Sequence, residues 1–452
     1  MSNRIVSGWR YKPLGMLDFA SFGPTGGGIC VRGVSQRLFI GICILVAVVC
    51  PVVTHAQEDQ KLRDRDPDLS AAKKVAADLQ QANFHNGPWY LLSRFRISDA
   101  GYTESAYVPT GDQSGGLSLS VEAPQRLYFV PRRKVVVSAD LIPGYSFLSE
   151  GDRRGQFNYS ARGDIHFLLN HLYLDVYAAG SDQLRAHIAD INRVATVRET
   201  ETGIGGEVKY SSRTSGVFTV RLRKSDYPLN RYQPNLGNNP DFNPIELLDR
   251  TEKNGRLSLY HKTFPLTSLF VSTEVSQYDF STAHTRDSTR SWVGGGFLYD
   301  SGRSQVRLEA GPVRLAFDDP AQHDHSGIAG SLRGSRAQGR RTYTAGVERD
   351  LGFSIFAGNN YFVGDRANAG VAYNATRRLT LRANLAAERD HYETIVRGLE
   401  RRDDITFSSL GFTYAFRKLT TGLDVGWYTR ESTYGGDTDS GLRYIVHLSF
   451  TP

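Results

Sequence analysis

The sequence predicts an all-β protein, a closed antiparallel transmembrane β-barrel of a bacterial outer membrane with about 18 strands. Three observations lead to this prediction: an amphipathic strand at the C-terminus, a side-chain period of two from Trp89 onward, and connections that alternate between short and long. Such barrels have lipid-facing apolar rows, short periplasmic turns and longer outer loops. No apolar run after residue 56 is long enough for a membrane helix. Since only helices and closed barrels satisfy their backbone groups in lipid, a barrel is the consistent choice.

The first 56 residues are predicted to be an N-terminal extension followed by a secretory signal peptide. Arg32 and Arg37 give the positively charged region, and residues 38–53 are apolar. Thr54 and Ala56 place small side chains at the two positions that signal peptidase reads. We therefore expect cleavage near Ala56. All three cysteines lie in the first 50 residues, so the exported part would contain none, which suits an oxidising periplasm.

The net charge of the chain is a poor guide to its partners. It is +7 over 452 residues, but the first 56 residues hold five basic side chains and one acidic side chain. The exported part is therefore only about +3, which gives no reason to expect nucleic acid as a partner.

Residues 57–88 are predicted to be a charged periplasmic tether that includes a short helix. Residues 57–68 are rich in charge, and Leu69, Val75 and Leu79 follow at roughly helical spacing. The alternative that the sequence leaves open is an unstructured leader to the first strand.

Residues 89–452 are predicted to form the barrel, because apolar and polar side chains alternate there as they do in half-buried strands. The alternation is clearest in residues 378–388, where Leu379 and Leu381 share one face and Arg382 lies on the other. Nineteen segments fit the pattern: 89–98, 116–130, 134–148, 154–168, 171–179, 198–212, 216–226, 254–264, 268–279, 288–300, 304–317, 326–336, 341–350, 352–363, 366–375, 378–391, 403–416, 419–430 and 440–450.

A barrel with both termini in the periplasm needs an even number of strands, so one of the nineteen segments must be removed. Segment 326–336 has three glycines and few apolar residues, so we assign it to a long outer loop over residues 318–340. Eighteen strands then remain, and short connections such as 265–266 alternate with long ones such as 227–253. Sixteen strands stay possible if two further short segments fail. Either number can leave an aqueous channel.

The polar rows of the predicted strands are expected to line the lumen. The lumen-lining candidates are Arg162, Arg221, Arg223, Arg307, Glu309, Arg382 and Glu388. An excess of arginine in a channel favours anions. The structural alternative is that inward salt bridges fill and stiffen a closed barrel.

The last strand is the clearest barrel signal in the sequence. Its apolar row, Tyr444, Val446, Leu448 and Phe450, alternates with a more polar row that includes Arg443 and His447. The first row is predicted to face lipid and the second to face the lumen. The chain continues for two residues beyond the terminal aromatic, to Pro452.

No motif in the sequence predicts a catalytic, cofactor or metal site. His323-Asp324-His325 would need further ligands at fixed geometry to hold a metal. The glycine runs at 203–206 and 294–296 do not open a helix after a buried strand, so they do not predict phosphate loops. No serine has the Gly-x-Ser-x-Gly context of a hydrolase nucleophile. We therefore expect a protein that is not an enzyme and has no cofactor.

Short motifs recur at strand ends in residues 341–452. They are Glu388-Arg-Asp390, Arg401-Arg-Asp-Asp404, Tyr414-Ala-Phe416 and the stretch Thr429–Ser432, followed by the aromatic closing strand. In these motifs the chain resembles the β-barrel porin family that is associated with bacterial exopolysaccharide. The resemblance implies an outer-membrane component of polysaccharide biosynthesis or secretion.

The function predicted from the sequence is a porin-like conduit or scaffold for the export of surface polysaccharide. One alternative is a general diffusion porin for polar or anionic solutes, and another is a structural or surface-binding barrel with a plugged lumen. The expected partners are outer-membrane lipid and lipopolysaccharide, the barrel-assembly machinery, and the transported polysaccharide or polar solute.

Overall fold

The secondary structure is almost entirely β-strand over the residues that the computed structural model describes. Those residues are 75, 78–103, 116–132, 134–149, 154–187, 193–228, 244–354, 359–393, 400–433 and 438–452. The strands are β1 (Phe84–Asn86), β2 (Trp89–Ser93), β3 (Phe95–Thr103), β4 (Gly116–Glu122), β5 (Gln125–Arg132), β6 (Val135–Leu148), β7 (Arg154–Leu168), β8 (Leu172–His187), β9 (Arg193–Lys209), β10 (Thr214–Asp226), β11 (Arg250–Phe264), β12 (Thr267–Phe280), β13 (Ser288–Asp300), β14 (Ser304–Phe317), β15 (His325–Gln338), β16 (Arg341–Phe353), β17 (Tyr361–Asn374), β18 (Leu379–Tyr392), β19 (Arg402–Phe416), β20 (Leu419–Ser432) and β21 (Thr438–Phe450).

Helical structure is limited to short pieces in this part of the chain. Pro244–Leu248 and His284–Arg286 are 3-10 turns, and residues 78–80 have helical backbone. No helix among the described residues is long and apolar enough to cross a membrane. The predicted signal peptide, most of the predicted tether and most of the loop 227–253 lie outside the described residues.

The wall of the barrel closes where the last strand meets the first. β21 pairs antiparallel with β3, with Phe450 opposite Phe95. β2 and β3 are two halves of one wall strand interrupted at Arg94, and β4 and β5 are halves of the next, interrupted at residues 123–124. β1 pairs only with β2 and is not counted among the strands of the wall. The predicted closed antiparallel barrel of 18 strands is therefore confirmed.

Short and long connections lie at opposite ends of the barrel. We call the end that carries the chain termini the terminal end, where neighbouring strands are joined by turns of two to four residues. At the far end the connections have five residues or more, up to 23 between β10 and β11. Several tight turns have left-handed backbone, with φ of 74° at Gly302, 60° at Gly339 and 53° at Arg417. Tight hairpins favour such positive φ values because these match the twist of the paired strands.

The removal of segment 326–336 from the strand list was wrong. These residues lie within β15, which pairs with β14 on one side and β16 on the other. The surplus segment is 352–363, which spans the end of β16 and the start of β17. The outer row of β15 alternates Ile328 and Leu332 with glycine, so its apolar signal is weak. Residues 330–336 of β15 pair with both neighbouring strands, because strand pairing does not depend on large side chains.

The outer face of the wall is apolar around its middle and charged beyond it at the far end. Leu257, Val271 and Leu410 are outward residues that are 56%, 63% and 68% exposed. Nearer the far end the outward row carries ion pairs, such as Lys253 Nζ to Asp279 Oδ2 at 2.8 Å. A wall that exposes large apolar side chains in a continuous band is covered by lipid or by another protein.

Apolar side chains inside the barrel form separate clusters at its two ends. The far-end cluster includes Tyr278, Phe280 and Trp292, all at most 1% exposed. Two smaller clusters lie at the terminal end: one contains Tyr128 and Val136, and the other contains Val217, Tyr260 and Phe270. Between these ends the inner face is polar and charged, which is the part of the molecule that could act on a solute.

Candidate functional site

The candidate site is the lumen, and its inner rows follow from strict alternation along the strands. In β11, Glu252, Asn254 and Arg256 are each 3% exposed and face inward. Lys253 and Leu257, which lie between or beside them, face outward and are exposed. Since side chains alternate across a strand, each wall strand presents one such inner row.

One side of the lumen, formed by β10–β14, holds most of its charges away from water, and we call it the sealed wall. Glu274 lies at its centre with a side chain that is 0% exposed. It pairs with Arg290 and with Arg256, whose Nη1 lies 3.1 Å from Glu274 Oε2. Arg256 Nη2 also lies 3.1 Å from Glu309 Oε2. Buried charges are tolerated only when paired and hydrogen-bonded in this way.

The hairpin that joins β16 to β17 leaves the wall and crosses to the sealed wall. Asp350 near the end of β16 accepts from Arg290 Nη2 of β13 at 3.1 Å. Phe353 packs edge-on against Tyr278 and Phe280 of β12, with ring centroids 5.0 and 4.8 Å apart. These contacts join strands that are several positions apart in the ring, so this hairpin covers part of the far end of the lumen.

A buried arginine holds the hairpin in place. Arg286, in the connection between β12 and β13, is 2% exposed. It donates hydrogen bonds to the backbone carbonyl oxygens of Ser354 and Asn359, the second at 3.3 Å. The two carbonyls flank residues 355–358, so a single guanidinium ties both sides of the hairpin end.

The opposite side of the lumen, formed by β3–β7 and the middle of β18–β21, keeps its charges in contact with water, and we call it the open wall. Nearer the far end of β19 and β20, Asp403 is 0% exposed and pairs with Arg401 and Arg430. Four inward ion pairs of the open wall are Arg96 with Glu122, Arg126 with Asp140, Arg162 with Asp164, and Arg382 with Asp424. The four arginine side chains are 36–47% exposed. Asp424 also pairs with His447, Nδ1 to Oδ2 at 3.3 Å.

Three of the seven predicted lumen residues lie on β7 and β18, and only the two arginines among them belong to the open wall. Arg162 pairs with Asp164 at 2.6 Å and its guanidinium lies 3.8 Å from the centre of the Tyr177 ring. Arg382 Nη2 lies 3.3 Å from Asp424 Oδ2. Glu388 is buried and accepts from Arg366.

The other four predicted lumen residues lie on β10 and β14 and belong to the sealed wall. Arg221 donates to Glu252 at 2.7 Å, and Arg223 donates to Glu199 with its Nε at 3.0 Å. Arg307 Nη2 lies 3.1 Å from Glu309 Oε2. Each of these arginines has a carboxylate partner, so the arginine excess expected from the sequence is offset locally.

Sequence reasoning missed the residues at the centre of the sealed wall. Arg256 and Glu274 lie in segments that were predicted as strands, and their alternation with apolar neighbours was the available signal. Asp350 had no such signal, because it reaches Arg290 only after β16 turns away from the wall. The pairing of carboxylates with guanidinium groups depends on the curvature of the ring and on the register between strands. The sequence of a single strand specifies neither.

The four residues of the C-terminal signal form one row on the outer face. Tyr444, Val446 and Phe450 are 41%, 46% and 41% exposed, and Leu448 lies in the same row. The row is paired with β20 on one side and β3 on the other, so it borders the seam where the ring closes.

The remaining sequence motifs have structural partners. Asp324 accepts hydrogen bonds from Arg314 Nη2 at 2.8 Å and from the Phe317 backbone N–H at 3.1 Å, and these bonds lower the pKa of its carboxyl. His325 packs its ring against Tyr361, with centroids 5.2 Å apart. Gly203 faces the lumen beneath the Tyr177 ring, where an added Cβ would approach ring atoms to 2.7 Å. No group of metal-ligating side chains occurs among the described residues.

Comparison with known proteins gives matches only among solved structures. No family model and no curated protein matches the chain. Three similar structures are OccAB4 of Acinetobacter baumannii (11% identity), OpdK of Pseudomonas aeruginosa with vanillate (9%) and a BenF-like porin of Pseudomonas fluorescens Pf-5 (10%). Each match covers 80% of this chain and 98–99% of the other, with a TM-score of 0.47. Because these similarities are low, the assignment of the fold rests on the strand pairing of the chain itself.

Proposed function

We propose that the protein is an outer-membrane channel through which small polar or anionic solutes diffuse along the open wall. One observation carries this proposal. The inward arginines of the open wall are 36–47% exposed, whereas the side chains of Arg256 and Arg290 on the sealed wall are 1% and 0% exposed. Water therefore reaches one set of lumen charges and is excluded from the other.

The outer face supports a membrane location for this channel. A band of exposed apolar side chains surrounds the wall, and charged pairs follow it at the far end. With an even number of strands both termini lie at the end with the short turns, which is the periplasmic end in barrels of this kind. We include in the proposal a signal peptide cleaved near Ala56 and a short periplasmic tether before the barrel.

The charges of the open wall favour small anions or polar molecules as solutes. A guanidinium has five N–H donors, so an arginine bound to one carboxylate still has donors for a passing group. The crossing hairpin and the sealed wall occupy part of the lumen, which limits the size of the solute. The path would therefore suit compact molecules that carry a carboxylate, a phosphate or several hydroxyls.

Two other functions remain as alternatives. A structural barrel with a plugged lumen is favoured by the sealed wall, where the ion pairs of Arg290 exclude water. Polysaccharide export is supported by the motif resemblance in residues 341–452. A polymer needs an uninterrupted bore, and the hairpin at Ser354 narrows the far end, so we place export third.

The outer face also suggests the partners of the protein. The charged outer pairs, such as Arg349 with Asp365 at 3.1 Å, lie where lipid headgroups and lipopolysaccharide would contact the wall. The row from Tyr444 to Phe450 would serve as the barrel-assembly signal. No step of this proposal requires an enzymatic activity or a cofactor.

Single-channel recording tests the proposal. We expect the refolded barrel in a planar bilayer to conduct steadily, with an anion preference measured as the reversal potential in a KCl gradient. The double variant Arg162→Gln/Arg382→Gln should lose part of that preference. Arg349→Gln, an outward change, is the matched control. A barrel that inserts and remains heat-modifiable but never conducts would contradict the channel and favour the plugged barrel.

A further inference from the structure

Residues 75 and 78–82, which precede β1 and which we call the stretch, lie inside the terminal end of the lumen. Val75 is 6% exposed and belongs to the apolar cluster with Leu92, Tyr128 and Val136 from β2, β5 and β6. Leu79 packs against the same cluster. The stretch therefore lies against the inner faces of the first three wall strands, at the end where the lumen opens between short turns.

Asp78 makes the polar contact of this stretch. Its Oδ2 accepts hydrogen bonds from Arg126 Nη1 and Tyr128 Oη, each at 2.7 Å. Arg126 also donates to Asp140 Oδ2 through Nη2 at 2.7 Å. The Arg126 guanidinium therefore binds two carboxylates, those of Asp140 and Asp78. Hydrogen bonds between ionised groups are about twice as strong as neutral ones. The Asp78 side chain is only 17% exposed, which limits screening by solvent.

The other end of the stretch is fixed to the wall. Phe84–Asn86 forms β1 and pairs with β2. Asn83 Nδ2 donates to the carbonyl oxygens of Ser93 at 3.1 Å and of Pro452 at 3.4 Å, next to the seam of the barrel. Asp78 is thus tied to an anchored residue by a span of at most ~18 Å. A short tether keeps the local concentration of a bound group in the mM range, so the contact can re-form after it opens.

We propose that residues 78–82 are a built-in stopper for the terminal end of the lumen, latched by the Asp78 carboxylate on Arg126 and Tyr128. The proposal rests on the channel function given above. In the latched state the stretch narrows the path, and two carboxylates offset the charge of Arg126. In the released state Arg126 keeps Asp140 alone and presents its freed donors to the path. The latch therefore controls both the open fraction of the channel and its preference for anions at this end.

Recording of single channels from the full exported chain tests the latch. Asp78→Asn removes the charge at nearly constant volume. We expect the open fraction to rise roughly tenfold, since losing a charge-assisted hydrogen bond shifts a two-state equilibrium by about that factor. The anion preference should rise with it. Gln80→Ala, at an exposed position of the same helical turn, is the matched control and should match the wild type. Equal open fractions for Asp78→Asn and the wild type would overturn the proposal.

A second measurement does not depend on conduction. Val136 is 1% exposed beneath the stretch, and the chain has no cysteine after Cys50, so Val136→Cys introduces a single reporter. We expect a charged, water-soluble thiol reagent to modify it roughly tenfold faster in the Asp78→Asn background, for the same loss of a charge-assisted hydrogen bond. The chain without the new cysteine gives the background. Faster labelling in barrels that never conduct would support the stopper and contradict the channel. Unchanged labelling in barrels that conduct normally would support the channel and overturn the stopper.

Discussion

The two walls of the lumen carry the same kinds of charged side chains, but they differ in how far these side chains are exposed to water. On the sealed wall the side chains of Arg256 and Glu274 are 1% and 0% exposed. On the open wall Arg382 and Asp424 form a similar pair that is 38% and 29% exposed. Both pairs occupy inner-row positions on their strands. The comparison shows that alternation decides which way a side chain points, whereas the surrounding structure decides whether water reaches it.

This difference changes what each ion pair contributes. A buried pair offsets its own desolvation cost only while every partner is present, so removing one member leaves an uncompensated charge. An exposed pair contributes little to stability because water and salt screen it. The sealed wall is therefore expected to hold the barrel rigid, and the open wall to be free to interact with solutes.

The largest effect is expected from Glu274→Ala on the sealed wall. The change removes the carboxylate shared by Arg256 and Arg290, and we expect it to lower the free energy of unfolding by about 3–5 kcal/mol. Asp424→Ala on the open wall should cost less than about 1 kcal/mol. Urea unfolding in lipid vesicles, followed by tryptophan fluorescence, measures both. Equal losses would mean that the two walls do not differ as described.

A smaller effect is expected from Arg286→Ala, which releases the hairpin that crosses to the sealed wall. The change removes the bonds to the carbonyls of Ser354 and Asn359 and should cost about 2–3 kcal/mol, with a rise in conductance at the far end. His284→Ala, in the same 3-10 turn but with a side chain that is 74% exposed, is the matched control. Unfolding in urea and single-channel recording provide the two readouts. An unchanged conductance would show that the hairpin does not narrow the path.

A pH effect of about 1 kcal/mol is expected at Asp249, in the long connection before β11. Burial raises the pKa of its carboxyl to about 6, while Oδ1 accepts from the Tyr227 N–H at 2.6 Å. The folded state therefore holds the proton more tightly than the unfolded chain, so this contribution to stability is full below about pH 4 and is lost as the pH rises through 6.

Asp249→Asn keeps the acceptor and removes the titration. Its stability relative to the wild type should improve between pH 4.5 and pH 8, by about 1 kcal/mol because the half-buried carboxyl is partly screened. Unfolding midpoints in urea across that range are the measurement. A difference between the two proteins that stays constant with pH would show that Asp249 does not titrate there.

The smallest effect is expected from Arg382→Gln on the open wall. Loss of one accessible guanidinium should reduce the anion-to-cation permeability ratio about twofold, with the stability nearly unchanged. The reversal potential in a KCl gradient reports the ratio. Arg223→Gln, on the sealed wall, should leave the ratio close to that of the wild type in those molecules that fold. A larger change from Arg223→Gln would place the solute path on the other wall.

The strand count shows how sequence reasoning can reach the right number through a wrong assignment. Segment 326–336 was removed for its glycines, although it lies within β15 and completes the ladder between β14 and β16. Segment 352–363 stayed in the strand list, although Phe353 and Phe362 are buried at the crossing hairpin. Apolar residues in a sequence indicate that a segment is buried. They do not show whether the buried segment is a wall strand or the connection of a hairpin.

The sequence by itself determined the class of fold, the rows of residues that face outward and the end of the barrel that carries the short connections. These features depend on a period of two residues and on turn chemistry, both of which are local. The residues named as lumen candidates lie on inner rows for the same reason, and their part in conduction stays a prediction. The terminal row from Tyr444 to Phe450 could likewise be predicted from its alternation alone.

Only the tertiary structure decided which inner charges are sealed and which remain open. Glu274 meets Arg256, Arg290 meets Asp350, and Asp78 meets Arg126 across separations of 18, 60 and 48 residues. Such pairs are fixed by ring closure, by the register of neighbouring strands and by the inward turn of one hairpin. These are properties of the whole wall, and the free energy of a buried charge depends on everything that surrounds it.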